Sequence, residues 1–195
     1  MKQNKLSTKD KILKVASELF YRQGFNATGV QQIIDEAKVS KGAFYSHFKT
    51  KDELGLLYLR SRSEEEMTHL RALLAGVADP RERYLQFTPL MKDWVKSEDF
   101  RGCAFSNMAA EVPDGTSPIR KEAKHHYEEF RVIIKEMIEQ LFDSDQKYQK
   151  LDLQFVSDQF MMIQIGALTN AEIFQDVWPF EHAEKAARLL IQEDK

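Results

Sequence analysis

The sequence is short of the residues that crosslink a chain or break its helices. It has a single cysteine, Cys103, among 195 residues, so an intrachain disulfide is excluded and a thiolate metal site has too few ligands. Five prolines and eight glycines are few for this length. The longest apolar run, residues 160–168, is broken by Gln164, so we expect neither a signal peptide nor a membrane span. These absences predict a cytoplasmic protein.

Motifs for common enzyme chemistries are also missing. The sequence contains no nucleophile elbow, no phosphate-binding glycine loop and no zinc motif of the His-Glu-x-x-His kind. Two Glu-x-x-His pairs, Glu66 with His69 and Glu122 with His125, leave a helical di-iron enzyme as an alternative. Charged neighbours surround both pairs, whereas di-iron ligands project into a dry interior. We therefore expect a protein that is not an enzyme and has no catalytic residues, metal or cofactor.

What the sequence does have is helical periodicity and helix caps. Glu, Lys, Leu and Ala recur at helical intervals, which predicts an all-α fold of about nine helices without internal repeats. Four N-terminal caps are predicted before residue 60, and the dipeptides at residues 79–80 and 117–118 predict two later helix starts. The predicted caps are Ser7 with Asp10, Thr28 with Gln31, Ser40, and Thr50 with Glu53.

Charge divides the chain unevenly. Residues 1–51 contain ten Lys or Arg against four Asp or Glu, and residues 52–195 contain 18 against 27, although the net charge is only −3. A basic segment of this kind is typical of a surface that faces phosphates, and an acidic one is not. We predict two domains: residues 1–51 bind nucleic acid, and residues 52–195 form a larger helical body.

The basic segment contains a helix-turn-helix pattern. The second and third predicted helices are joined by the short turn at residues 37–39, and Phe44 and Phe48 lie four apart on the inner side of the third. A helix fits the major groove of duplex DNA, and the residues near its N-terminus reach the base edges. The pattern leaves these residues on the outer face: Lys41, Gly42, Ala43, Tyr45, Ser46 and His47.

Residues 24–30 (GFNATGV) and 37–51 (AKVSKGAFYSHFKTK) resemble the signature of the TetR family of bacterial transcriptional repressors. The resemblance implies an N-terminal three-helix DNA-binding domain and a C-terminal domain for ligand binding and dimerisation. It implies base approach by Lys41, Gly42, Ala43 and Ser46, and phosphate contacts by Thr28, Tyr45, His47 and Lys51. Gln31, where many relatives carry Arg, is the one departure, and it weakens an expected backbone contact.

A homodimer and a small-molecule inducer follow as further expectations. The DNA-binding domain, residues 1–51, is called the head below. Two heads related by a two-fold axis would read two half-sites, which gives useful sequence specificity. Apolar positions on the last two helices are suited to pairing the two copies. The body has aromatic and Met-rich positions interrupted by polar residues, which is the usual composition of a small-molecule pocket as well as of plain core. The predicted pocket residues are Phe87, Met91, Trp94, Cys103, Phe105, Asn107, Glu111, Tyr127, Met161 and Gln164.

Two questions stay open at this level. Residues 101–111 resemble a segment in a branch of TetR-like regulators that includes sensors of reactive electrophiles, and the alternative for Cys103 is a small buried apolar residue. A constitutive DNA-binding protein without any ligand is the second functional alternative, although a body of this size exceeds what a DNA reader needs. The sequence specifies neither the operator nor the inducer.

Overall fold

The computed structural model describes residues 6–192, and within them nine α-helices and one short 3₁₀ helix, Gln146–Lys150, account for the regular structure. The first five residues, which the signal-peptide prediction includes, lie outside this range. The helices are α1 Thr8–Gln23, α2 Val30–Ala37, α3 Lys41–His47, α4 Lys51–Ala75, α5 Pro80–Ser97, α6 Ala104–Glu111, α7 Pro118–Ser144, α8 Leu153–Phe174 and α9 Trp178–Leu190. The all-α prediction is confirmed.

The chain divides into two compact units. The first extends to Glu65 and includes Ala104–His126, and the second comprises Glu66–Cys103 and the chain from Tyr127 onward. Helices α4 and α7 therefore contribute residues to both units. The domain boundary predicted after Lys51 stays a prediction.

Three of the four predicted N-terminal caps form as expected. Ser7 accepts a hydrogen bond from the Asp10 amide, Ser40 accepts from that of Ala43, and Thr50 accepts from that of Glu53. Each hydroxyl satisfies an amide that has no partner within the helix, which contributes about 1 kcal/mol. Helix α1 ends at Gln23, directly before Gly24, and α4 ends at Ala75, directly before Gly76.

The predicted cap at Thr28 is wrong. Helix α2 begins after Gly29, which has no side chain to cap it. The Thr28 hydroxyl instead donates to the carbonyl oxygen of Gly24 over 2.7 Å, and the side chain is fully buried. The capping pattern failed here because a Thr hydroxyl also bonds the carbonyl four residues earlier.

Gly55 allows α6 to approach α4 closely within the first unit. A Cβ at this position would lie 2.6 Å from Met108 Cε and 2.7 Å from Phe25 Cε2. A glycine inside a helix costs about 1 kcal/mol relative to alanine. Glycine is nevertheless required at position 55, because any side chain there would displace Met108 or Phe25.

The second unit is built around two apolar clusters. The larger draws on α4, α5, α7, α8 and α9, and the smaller contains Val95, Phe180 and neighbouring α8 residues. Tyr84 is fully buried, and its hydroxyl donates to the Ala187 carbonyl over 2.7 Å, which joins α5 to α9. A buried tyrosine needs such a partner, so this bond specifies the pairing of the two helices. No helix within residues 6–192 has the length and apolarity that crossing a membrane requires.

The first unit contains a buried histidine that is neutral. His126 is 5% exposed, its ring stacks on that of Phe105 with the centroids 3.4 Å apart, and its Nδ1 lies 2.9 Å from Ser63 Oγ. Burial, followed by the positive charges of Arg62 and His125, lowers the pKa of His126 from 6.5 to about 4. Charging this ring inside the folded chain is therefore unfavourable.

We expect this histidine to make the fold acid-sensitive. The folded pKa lies below the unfolded one, so the stabilisation is complete above pH 6.5 and is lost as the pH falls to about 4. The loss is on the order of 3 kcal/mol. Urea unfolding of His126→Asn between pH 7 and pH 4 should show a flatter profile than the wild type, and exposed His69→Asn should not. Equal slopes for wild type and His126→Asn would contradict this assignment.

Candidate nucleic-acid interface

Helix α3 has a polar face that is exposed and an apolar face that is buried. Phe44 and Phe48 are 0% and 1% exposed, and their ring centroids lie 6.0 Å apart. Burying two such side chains contributes roughly 1.5–3 kcal/mol each. The packing therefore determines which side of α3 faces outward.

Tyr45 lies on that outer side. Its side chain is 40% exposed, and its ring packs edge-on against Phe44 with 5.2 Å between centroids. The contact packs the ring against Phe44, while part of the side chain remains exposed. A large exposed aromatic held in this way is available for a partner.

Most of the predicted contact residues share this exposed surface. Ser46 donates to the Ala43 carbonyl over 2.7 Å, and the Gln31 side chain donates to Asp35 over 2.9 Å. A Cβ at Gly42 would find its nearest neighbour 4.0 Å away, so a ligand backbone can approach there. The predicted residues classed as exposed are Gln31, Lys41, Gly42, Tyr45, Ser46 and His47, and Ala43 is half-buried.

Thr28 and Lys51 differ from the exposed residues of this set because neither is fully exposed. Thr28 is buried, and it accepts a hydrogen bond from Gln23 Nε2 over 3.1 Å. The Lys51 ammonium donates to the carbonyls of Phe25 and Thr28 over 2.9 and 3.2 Å, and it lies 4.3 Å from the centre of the Phe25 ring. Their phosphate contacts stay predictions, and in this conformation both residues organise the turn between α1 and α2.

The predicted pocket residues fall into two groups. Phe105, Asn107 and Glu111 belong to the first unit, and the other seven belong to the second. Phe105 is buried against His126, and the Glu111 carboxylate accepts the amides of Phe25 and Asn26 over 3.1 and 2.6 Å. The structure therefore gives Glu111 a role in the helix-turn-helix head that sequence reasoning missed.

Within the second unit, a buried polar pair lies among apolar residues. Gln164 is 1% exposed, and its Nε2 donates to Thr88 Oγ1 over 2.9 Å. Its Oε1 is buried without a hydrogen-bond partner among the described residues. A buried acceptor without a donor costs roughly 1–3 kcal/mol. This oxygen therefore retains the capacity to accept a hydrogen bond. Sequence reasoning missed Thr88 as the hydrogen-bond partner of Gln164.

The remaining predicted pocket residues surround the apolar clusters. Phe87 is fully buried in the larger one, and Met161 packs against it. Met91 packs against both clusters, and Trp94 and Cys103 pack against the smaller. Tyr127 places its hydroxyl 3.4 Å from Cys103 Sγ, and the thiol is half-buried.

The segment before Cys103 is clamped from α8. Arg101 pairs with Glu172 over 3.0 Å, and a Cβ at Gly102 would lie 1.9 Å from a carboxylate oxygen of Glu172. Asp99 and Phe100 both adopt positive φ values near 54°. Non-glycine residues rarely adopt this conformation, and it persists where surrounding contacts impose it.

The di-iron alternative finds no support in the geometry. Across residues 6–192 there is no group of three or more His, Cys, Asp or Glu side chains that could hold a metal ion. Glu122 is engaged in an ion pair with Arg60 over 3.0 Å.

Two family models match this chain. Bacterial regulatory proteins of the tetR family match residues 12–56, and the tetracyclin repressor-like C-terminal domain matches residues 80–187. The first match covers the helix-turn-helix and the second covers more than half of the chain. The all-α fold and the exposed face of α3, together with these matches, define a helix-turn-helix transcriptional regulator.

Sequence and structure comparisons also find similarity to known transcriptional regulators. The HTH-type transcriptional regulator LmrA of Bacillus subtilis is 29% identical over 135 residues, covering 68% of this chain and 72% of the relative. QacR of Staphylococcus aureus is 51% identical over 51 residues, covering 26% of this chain and 27% of that protein. The crystal structure of a TetR-family transcriptional regulator from Streptomyces coelicolor has a TM-score of 0.84 at 25% identity, covering 95% of this chain and 88% of that one. The chain belongs to the TetR family of DNA-binding transcriptional regulators.

Proposed function

We propose that this protein is a repressor that binds a palindromic operator as a homodimer and leaves it when a small-molecule inducer binds. The observation that carries the proposal is the exposed face of α3, where Tyr45 and His47 lie beside Lys41 on a basic head. A short helix with this face suits the major groove. The repressor role is supported by the match to a repressor-like C-terminal domain.

The homodimer is supported by an apolar surface on α8 and α9. Phe155, Met162 and Ile173 are 58%, 55% and 68% exposed, and their spacing places them along one side of α8. Trp178 and Leu189 of α9 are 41% and 68% exposed. Large exposed apolar residues at this density are typical of an interface. Not every apolar position of α9 is available for pairing, because Ala183 and Ala187 belong to the core.

The DNA contacts that we propose start with the exposed residues. Lys41, Gly42, Ala43 and Ser46 approach bases, and Tyr45 and His47 contact phosphates, with Gln31 beside them on α2. Lys51 uses two of the three protons of its ammonium on backbone carbonyls, which leaves one for a phosphate. Thr28 contributes by holding the preceding turn.

Lys51→Met should weaken binding to all duplexes alike. We expect a roughly tenfold loss of affinity, because the variant loses a cation near phosphates and two hydrogen bonds to the α1–α2 turn. The salt dependence should flatten at the same time. Anisotropy titrations of specific and scrambled duplexes over a range of salt concentrations measure both effects, with exposed Lys150→Met as the matched control. A variant with altered sequence preference and an unchanged salt slope would contradict the role.

The inducer site that we propose lies in the second unit, near Gln164. The orphaned Oε1 and the adaptable side chains of Met91 and Met161 provide a polar group within apolar surroundings. Binding there shifts the population of the dimer toward a form with lower DNA affinity. Cys103 either packs as an apolar residue or reacts with electrophiles, and Cys103→Ser tests which.

One experiment separates this proposal from a constitutive DNA binder. The DNA upstream of the protein's own coding region provides the probe, and thermal unfolding with small apolar compounds identifies a candidate inducer. The affinity of that compound is then measured with and without operator DNA. Coupling requires operator DNA to weaken inducer binding by the factor by which inducer weakens DNA binding. Equal inducer affinity in both conditions would exclude the coupling.

A further inference from the structure

The turn between α1 and α2 is held by a carboxylate from a distant part of the chain. Glu111 accepts the Phe25 amide at Oε1 over 3.1 Å and the Asn26 amide at Oε2 over 2.6 Å. The Asn26 side-chain amide also donates to Glu111, at its backbone carbonyl, over 2.9 Å. Three hydrogen bonds therefore join one residue of α6 to two adjacent residues of the helix-turn-helix head.

Glu111 lies at a position in its own helix where a carboxylate is electrostatically unfavourable. It is the last residue of α6, where the partial negative charge of the helix end disfavours an anion. Binding two backbone amides compensates for that placement, since charge-assisted hydrogen bonds are among the stronger ones. The end of α6 is itself stabilised by Arg120, whose guanidinium donates to the Ala109 carbonyl over 2.6 Å.

The turn is shaped to receive this carboxylate. Gly24 has a φ of +99°, and a Cβ there would lie 2.9 Å from Glu111 Oε1. Glycine is the residue that adopts this backbone conformation without strain, and it also leaves the space that the carboxylate occupies.

The same turn is held from its other side by a cation. The Lys51 ammonium at the start of α4 binds the Phe25 and Thr28 carbonyls, while Glu111 binds amides one and two residues after Gly24. The Glu111 carboxylate therefore binds backbone amides of the turn, and the Lys51 ammonium binds backbone carbonyls of the same turn. Both ends of the turn that leads into α2 are attached to the supporting helices.

We infer that Glu111 is a positioning residue for DNA binding, which holds the helix-turn-helix head in one orientation on α6. The inference rests on the DNA-binding function. Two heads of a dimer must meet successive major grooves, so a head with a freely moving turn would lose orientational freedom on binding. Glu111 removes that freedom before DNA arrives.

The test compares Glu111→Gln and Glu111→Ala with the wild-type full chain on one operator duplex. Alanine removes both carboxylate bonds, whereas glutamine keeps one acceptor oxygen. We expect affinity to fall about threefold for glutamine and about tenfold or more for alanine, with an unchanged salt slope. Hydrogen exchange at the Phe25 and Asn26 amides should accelerate in the same order.

Charge alone predicts that both variants bind DNA more tightly than the wild type, and by the same amount. Either substitution removes a negative charge and so favours binding to phosphates. Exposed Glu18→Gln on α1 makes the same charge change on the head, and we expect it to bind DNA as tightly as the wild type or more tightly. Stoichiometric titration gives the fraction of active protein for each variant.

Failure of the inference is distinguishable from failure of the proposed function. A wild type that binds no duplex rejects the proposed function. A wild type that binds, with Glu111→Ala binding equally well or better, overturns the positioning role. A loss of affinity that the reduced active fraction fully explains also overturns it, because Glu111 would then serve stability alone.

Discussion

Replacing Tyr45 and His47 together by alanine should lower operator affinity by about a thousandfold. Each side chain lies on the exposed face of α3, and each contact is expected to contribute roughly 1 kcal/mol. A dimer loses four such contacts, so the total is about 4 kcal/mol. Anisotropy titration at fixed salt concentration measures the loss.

The control for this variant is a matched pair on α4. His69→Ala with Leu73→Ala removes an exposed histidine and an exposed large side chain without touching the head, and its affinity should match the wild type. Unchanged circular dichroism and thermal midpoint show that the Tyr45 and His47 variant is folded. If that folded variant stays within threefold of wild-type affinity, α3 does not carry the interface.

We expect Met162→Glu to convert the proposed dimer to a monomer and to lower operator affinity more than a hundredfold. Met162 is 55% exposed on α8, within the surface that we propose for pairing. In a two-fold interface each substitution buries a charge near its own copy, which is unfavourable. The paired heads then no longer bind as one unit, so the affinity gained by linking them is lost.

Sedimentation velocity at micromolar concentration checks the dimer, and anisotropy checks the DNA affinity. Val132→Glu places the same charge on an α7 residue that is 49% exposed, and it should remain dimeric. Met162→Leu keeps the surface apolar and should bind as the wild type does. A dimeric Met162→Glu protein with normal DNA affinity would show that the interface lies elsewhere.

Local sequence signals predicted the helices and the inner face of the head. The caps at Ser7, Ser40 and Thr50 involve residues within one helical turn, and Phe44 and Phe48 follow the helical period. Such features depend on neighbours in sequence, so they can be predicted before the fold is known.

The features that escaped prediction depend on contacts between distant residues. Glu111 lies 86 residues from Phe25 in sequence, and no local pattern indicates that its carboxylate binds that turn. The need for glycine at position 55 comes from Met108, which lies 53 residues later in the sequence and packs against it. The Thr28 hydroxyl had two possible roles: to accept from a backbone amide of α2 as a cap, or to donate to the carbonyl four residues earlier, and in the folded chain it donates to the Gly24 carbonyl.

The proposed function requires the outer face of α3 to bind duplex DNA. Its most direct test is an anisotropy titration of a labelled palindromic duplex from upstream of the coding region with the full chain, in the absence of small molecules. We expect saturable binding that weakens as salt concentration rises and is lost in the Tyr45 and His47 variant. Absence of binding to any duplex at low ionic strength would contradict it.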